Sequence, residues 1–199
     1  MKKGLFDFKV ADIVEIAILC SLAIVLDTFV KIPLGPSGSI NLSMIPILII
    51  ALRHGWFKTL FAGGLVYGLI TCLLDGYGFI TYPLDYFLGF GSTCLLGLFA
   101  PYIVKNFNKD KKSTIMCFVF VILGTLSWGV VRFFASSLSS VLVYEYTFAA
   151  AFAYNLSYVF ISCIADMVIL CGLLYLIYKL NKVYPTTFIK QISKTKEVE

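Results

Sequence analysis

Three polar residues stand out in otherwise apolar surroundings: Asp85 in TYPLDYFLGF, Arg132 in WGVVRFFASSLSSVLVY and Asn155 in FAYNLSYVF. An ionisable group surrounded by lipid-compatible residues is costly, so each is a functional candidate. Tyrosines accompany them. Tyr82 and Tyr86 lie on either side of Asp85, Tyr154 and Tyr158 lie near Asn155, and Tyr144 and Tyr146 fall between Arg132 and Asn155. A carboxylate, an amide and several aromatic rings suit a small, flat, cationic or aromatic ligand, because aromatic faces attract cations and a carboxylate neutralises them. The same residues also read as a tyrosine belt at a membrane interface around one internal Asp85–Arg132 ion pair. Glu15, Asp27 and Asp166 also sit in apolar runs. Glu15 and Asp27 are near the two ends of their run and take no ligand role. Asp166 is nearer mid-run, where a partner inside a helix bundle is expected.

No catalytic pattern accompanies these residues. The chain has no Walker A motif, no nucleophile elbow, no zinc-ligand spacing and no carboxylate cluster typical of a pump. A non-enzymatic binding protein with no cofactor and no metal is the expectation. The six cysteines (Cys20, Cys72, Cys94, Cys117, Cys163, Cys171) lie in apolar runs and read as unpaired thiols. His54 is the lone histidine, too little for a histidine metal site.

The elements that must position these groups follow from composition. Of 199 residues, 60% are hydrophobic and 14% charged, and the mean hydropathy is +0.93. A soluble domain is nearer half apolar and a quarter charged. The apolar runs are continuous and often near bilayer-spanning helix length, unlike the alternating segments of a β-barrel. The expected fold is all-α, with six membrane helices near 11–31, 42–52, 56–75, 81–104, 114–141 and 149–180. The second is too short to cross a bilayer alone and carries Pro46, so the Pro/Gly/Ser stretch before it, Pro33 to Gly38, must dip into the protein. Residues 1–10 read as a cytoplasmic N-terminus, 11–180 as the membrane domain and 181–199 as a polar cytoplasmic tail. No signal-peptide cleavage site follows the first run.

The net charge of +5 does not mark a nucleic-acid binder, because fourteen of the sixteen basic residues fall on one side of this six-helix plan. They precede helix 1, bracket the turn between helices 2 and 3 (Arg53, Lys58), fill the loop between helices 4 and 5, and follow helix 6. Lys31 is the clear exception, on the side that holds Asp75 and Glu145. The positive-inside rule then puts both termini in the cytoplasm and Asp85, Tyr144 and Asn155 in the outer half. Two small-residue patterns invite close helix contact: Ala17-xxx-Ser21 on helix 1, and Gly63, Gly64 and Gly68 on helix 3.

The stretches EIAILCSLAIVLD, SGSINLSMIPILIIALRHGWFKTLFAGGLVYGLI and YPLDYFLGF resemble the thiamine-specific S components of energy-coupling factor (ECF) transporters. The resemblance runs from about Glu15 to Tyr158 and is most specific between Ser39 and Leu69. It implies a six-helix plasma-membrane protein that captures thiamine, or a related small cationic vitamin, from outside. Such a protein docks on an ECF coupling protein and two ATPase subunits. The docking pair falls on Ala17 and Ser21, the acidic-tyrosine pair on Asp85 and Tyr86, the basic position on Arg132, the stacking aromatic on Tyr144 and the amide on Asn155. Some relatives have a histidine where this chain has Ser136, and a glycine where it has Leu156. These departures touch the expected pocket and keep a thiamine precursor or another vitamin as alternatives. A stand-alone secondary transporter using Asp27 or Asp166, or a scaffold protein with no pocket, are the other classes.

Overall fold

The structure, a computed structural model, describes residues 8–34 and 38–195. Lys2, Lys3, residues 35–37 of the Pro/Gly/Ser stretch and Lys196 lie outside the described residues.

Helix α1 (Val10–Phe29) turns Asp12, Ile16, Cys20 and Ala23 inward. Their three- and four-residue spacing is one helical face. A two-stranded hairpin follows, β1 (Lys31–Leu34) antiparallel to β2 (Gly38–Asn41), with Lys31 opposite Asn41. After the hairpin the chain turns into the protein: Asn41 and Ser43 are buried, and Asn41 Nδ2 donates to Asp27 Oδ1 at 2.7 Å; the expected dip of Pro33 to Gly38 falls partly outside the described residues.

The helical run Met44–Asp75 is broken at Gly55, whose φ of 78° and ψ of 176° interrupt the helix. Glycine alone adopts that positive φ without a steric penalty. The two parts are α2 (44–54) and α3 (56–75). Helix α2 is buried nearly all round, which explains its unbroken apolar run better than lipid contact does. Pro46 sits in its first turn, where a missing N–H costs nothing.

Helix α3 meets α4 (Phe79–Asn106) along its glycines. A Cβ on Gly63 would lie 2.9 Å from the Phe90 carbonyl oxygen, and one on Gly64 would lie 3.1 Å from the Phe87 ring. The small-residue stripe therefore acts as a contact between two helices of this chain. Both helices carry a π-helical stretch at this crossing, Phe61–Tyr67 and Tyr82–Leu88. Helix α5 (Lys111–Tyr144) starts at Asp110, whose carboxylate accepts from the Ser113 backbone N–H at 2.8 Å. That bond holds the Asp110 carboxyl below the usual carboxylate range. Helix α6 (Phe148–Val183) pairs with α5 along its length.

The tail corrects the sequence reading in one respect. Residues 187–195 are not a polar extension but an amphipathic helix, α7 (Thr187–Thr195), packed onto the α2–α3 turn. Phe188 covers Gly55, where an added Cβ would come within 2.7 Å of its ring, and Ile189 is buried. Pro185 separates α7 from α6. An ionic network ties this end together. Lys58 Nζ pairs with Asp12 at 2.7 Å, and Arg53 pairs with Glu15 while donating to Asn181 Oδ1 at 2.6 Å and to the Tyr184 carbonyl at 3.2 Å. The Thr186 hydroxyl donates to the Arg53 carbonyl at 2.5 Å, and the Thr187 N–H to Asp12 Oδ1 at 3.2 Å.

Among the described residues, four helical runs are long and apolar enough to cross a membrane: Met44–Asp75, Phe79–Asn106, Lys111–Tyr144 and Phe148–Val183. Helix α1 is as long as a span but carries three acids, two of them paired with Lys58 and Arg53 and the third with Asn41. Its outer face, and those of α5 and α6, expose large aliphatic and aromatic side chains such as Ile18, Phe134 and Val168, as lipid contact requires.

Candidate functional site

The end of the bundle opposite the basic residues holds a polar pocket. Asp75 and Tyr77 enter it from the end of α3, and Asp85, Tyr86 and Phe90 from α4. Ser136, Ser140 and Tyr144 come from α5, and Tyr154, Asn155 and Tyr158 from α6. Asp85 and Tyr86 lie in the π-helical stretch of α4, which the glycines of α3 press into place. Such widened turns recur at functional sites because they redirect side chains.

Asp85 accepts a hydrogen bond from Ser139 Oγ. Among the described residues no basic side chain pairs with it. The expected Asp85–Arg132 ion pair is absent there. The Arg132 guanidinium instead stacks over the Phe90 ring, 4.7 Å from its centroid, and over Trp128 at 5.7 Å. Phe90 lines the pocket and Arg132 does not. Asn155 is buried with both faces of its amide engaged. Nδ2 donates to Ser140 Oγ at 3.0 Å and to the Ala151 carbonyl at 2.8 Å, while Oδ1 accepts from the Tyr158 hydroxyl at 2.7 Å. The Tyr86 hydroxyl donates to Asp75 Oδ2 at 2.9 Å. Tyr144 forms an aromatic rim with Tyr77 and Tyr146, at centroid separations of 6.4 and 6.3 Å. Burial, reinforced by the Asp75 carboxylate, pushes the Tyr77 phenol above its ordinary range, so it is a neutral donor at pH 7.

Five expected residues thus line one cavity: Asp85, Tyr86, Ser136, Tyr144 and Asn155. Arg132 stands behind its wall. Of the two departures from the family pattern, Ser136 faces the pocket, but Leu156 is 52% exposed on the outside of α6. One helical step from the inward Asn155 rotates it away, so it does not touch the pocket as expected. Tyr82 is not a lining residue; its hydroxyl donates to the Gly64 carbonyl at 3.0 Å. Asp75, Tyr77, Phe90 and Ser140 were missed as pocket residues by the sequence reading. The signal for Asp75 was its place ten residues before Asp85, at the other side of a tight turn that brings the end of α3 beside the start of α4.

Ala17 and Ser21 lie together on the exposed face of α1. Asp166 lacks the expected partner: it is fully buried, and neither carboxyl oxygen is hydrogen-bonded in the structure. The six cysteines are free thiols. No group of three or more histidines, cysteines or acids is arranged to hold a metal among the described residues. A larger groove between α1 and α6 is lined mainly by aliphatic side chains, and its two charged members, Glu15 and Arg53, are paired to each other.

Three comparisons with known proteins agree. The family model described as thiamine transporter protein matches residues 13–185. The thiamine transporter ThiT of Bacillus subtilis (strain 168) is 28% identical over 182 residues, covering 82% of this chain and 90% of that protein. A solved structure of ThiT from Listeria monocytogenes superposes with a TM-score of 0.67 at 29% identity, covering 85% of this chain and 96% of that one.

Proposed function

The chain belongs to the thiamine transporter protein family, and from that membership we propose that it is the S component of an ECF-type uptake system, capturing thiamine from outside the cell. It is a multi-pass plasma-membrane protein with a substrate-binding rather than catalytic role. The observation that carries the reading is the pocket itself: a carboxylate, Asp85, without a basic partner, set among tyrosines and beside a buried amide. A ring cation supplies the charge that Asp85 lacks. Tyr144 offers a stacking face at the mouth. Asn155 exchanges its Nδ2 bond to Ser140 for one to a ring nitrogen of the ligand's aminopyrimidine, while Ser140 Oγ keeps its own bond to the Ser136 carbonyl and Tyr158 keeps its bond to Oδ1, so no buried donor is left unmet. Tyr86 and Ser136 complete the wall, and Arg132 backs Phe90 through its ring contact.

Energy comes from elsewhere, because the sequence carries no nucleotide-binding motif. The partners are an ECF coupling protein and two ATPase subunits. The exposed Ala17–Ser21 face of α1 offers a partner helix close approach within the bilayer. The basic residues clustered at one end support a cytoplasmic placement of both termini. An impermeant thiol reagent applied to intact cells should leave Lys111→Cys unlabelled and label Glu145→Cys.

Thiamine binding to the purified protein in detergent, measured calorimetrically against riboflavin and biotin, tests the reading. Binding of thiamine alone supports it. Heat from riboflavin or biotin but not thiamine would assign the pocket to another vitamin.

A further inference from the structure

Two carboxylates open into one pocket, and they differ in depth. Asp85 is held within by Ser139, whereas Asp75 sits at the mouth with its side chain 29% exposed. Asp75 is the last residue of α3. A helix C-terminus repels negative charge, so this is an unfavourable place for a carboxylate. A cation, Lys31 Nζ, is 3.9 Å away and itself 38% exposed, a geometry in which an ion pair contributes little. The Tyr86 hydroxyl that Asp75 accepts at 2.9 Å would be served equally by a neutral acceptor. Neither stability nor hydrogen bonding therefore accounts for the charge.

What the charge does is make the mouth negative. None of the described side chains lining the pocket is basic. Thiamine ends in an alcohol, and in its phosphate esters that alcohol carries a group of about −1.5 to −2 charge at pH 7. A phosphate is too strongly hydrated to enter a pocket with no basic partner, so it stays at the solvent side. The solvent side is where Asp75 stands.

We infer that Asp75 is a specificity-determining residue that makes the pocket favour the free cationic alcohol over its phosphate esters. The inference rests on the thiamine reading above. Asp75 attracts the incoming cation and repels the ester, and Lys31 tempers both effects.

The test is calorimetric titration of thiamine and of thiamine monophosphate into the purified protein, for the parent, Asp75→Asn and Lys31→Gln. Asparagine keeps the shape and an acceptor for Tyr86, so retained thiamine binding certifies the fold. The expected result is that Asp75→Asn binds thiamine up to about threefold more weakly and the monophosphate more tightly. The ratio of the two affinities then falls at least about fivefold, the scale of a half-exposed charge acting across several ångströms with opposite sign on the two ligands. Lys31→Gln should move the ratio the other way, and both shifts should shrink in high salt. Equal proportional losses for the two ligands in Asp75→Asn would make the residue structural and overturn the inference alone. A parent that binds no thiamine would overturn the thiamine reading itself, and the inference with it.

Discussion

Asp85→Asn is the most direct test of the pocket. Asparagine is nearly isosteric and still accepts a bond from Ser139, so the substitution removes charge with little change of shape. A carboxylate and a ring cation about 4 Å apart attract by roughly 4 kcal/mol at the effective dielectric of partly buried sites. Both groups give up water to meet, which offsets a good part of that figure. The net loss should be about 1.4 to 3 kcal/mol, a fall in thiamine affinity of roughly tenfold to 150-fold. Titration calorimetry on the purified variant reads it. An uncharged analogue of similar shape isolates the electrostatic part, because its affinity should not change between parent and variant. The reasoning fails if Asp85→Asn binds thiamine within twofold of the parent. It fails equally if the uncharged analogue loses as much as thiamine does.

Three further outcomes follow from the packing. Lys58→Met leaves Asp12 buried without its partner and should cost about 3–5 kcal/mol in reversible unfolding, with thiamine affinity unchanged; a change in affinity without a stability loss contradicts the assignment. Asp166→Leu removes a buried carboxyl that has no hydrogen-bond partner and should stabilise the protein by about 1–3 kcal/mol with binding intact; lost uptake in a well-folded Asp166→Leu would give the residue a transport role instead. Ala17→Trp or Ser21→Trp, on the exposed face of α1, should bind thiamine like the parent but fail in cellular uptake with the coupling module present, whereas uptake that persists in both variants removes α1 from the docking surface.

The long apolar runs made the bundle legible in the sequence, because bilayer-length helices and the clustering of Arg53, Lys58, Lys109, Lys112 and Lys182 are local signals. The residues of the pocket were legible for a related reason: Asp85 and Asn155 are conspicuous where lipid-compatible residues surround them. What the sequence hid is whatever depends on which elements meet. Asp75 reads only as an outer-side charge at the end of a helix until the turn at Gly76 lays it against Tyr86. Arg132 reads as a counter-ion for Asp85, but three aromatic or serine neighbours compete for the two groups, and the guanidinium takes the faces of Phe90 and Trp128 while Ser139 takes the carboxylate. The tail reads as polar because six of the nine residues of α7 are threonine, lysine, glutamine or serine. Its packing depends on Phe188 meeting Gly55, where no side chain stands in the way.

The pocket and the ionic network occupy opposite ends of α3, since Lys58 lies near its start and Asp75 closes it, about 25 Å apart at 1.5 Å per residue. A continuous polar path nevertheless links α1 to the pocket wall. Asp27 accepts from Asn41, whose Oδ1 accepts from Ser43 Oγ at 2.7 Å; Ser43 Oγ accepts from the Tyr67 hydroxyl at 2.9 Å, and the Tyr67 ring meets Phe90 edge-on at 4.9 Å. Helix α1 is thus fastened twice, by Asp27 near the pocket and by Asp12 and Glu15 at the basic end. If the upper fastening alone sets the pocket, the two ends act independently. Changes at sites this far apart then add within about 0.5 kcal/mol. The affinity ratio between parent and Asp85→Asn should therefore be the same, within about twofold, when measured in a Lys58→Met background. A tenfold difference between the two backgrounds would mean that the basic end shapes the pocket through α1, and that the two fastenings work as one.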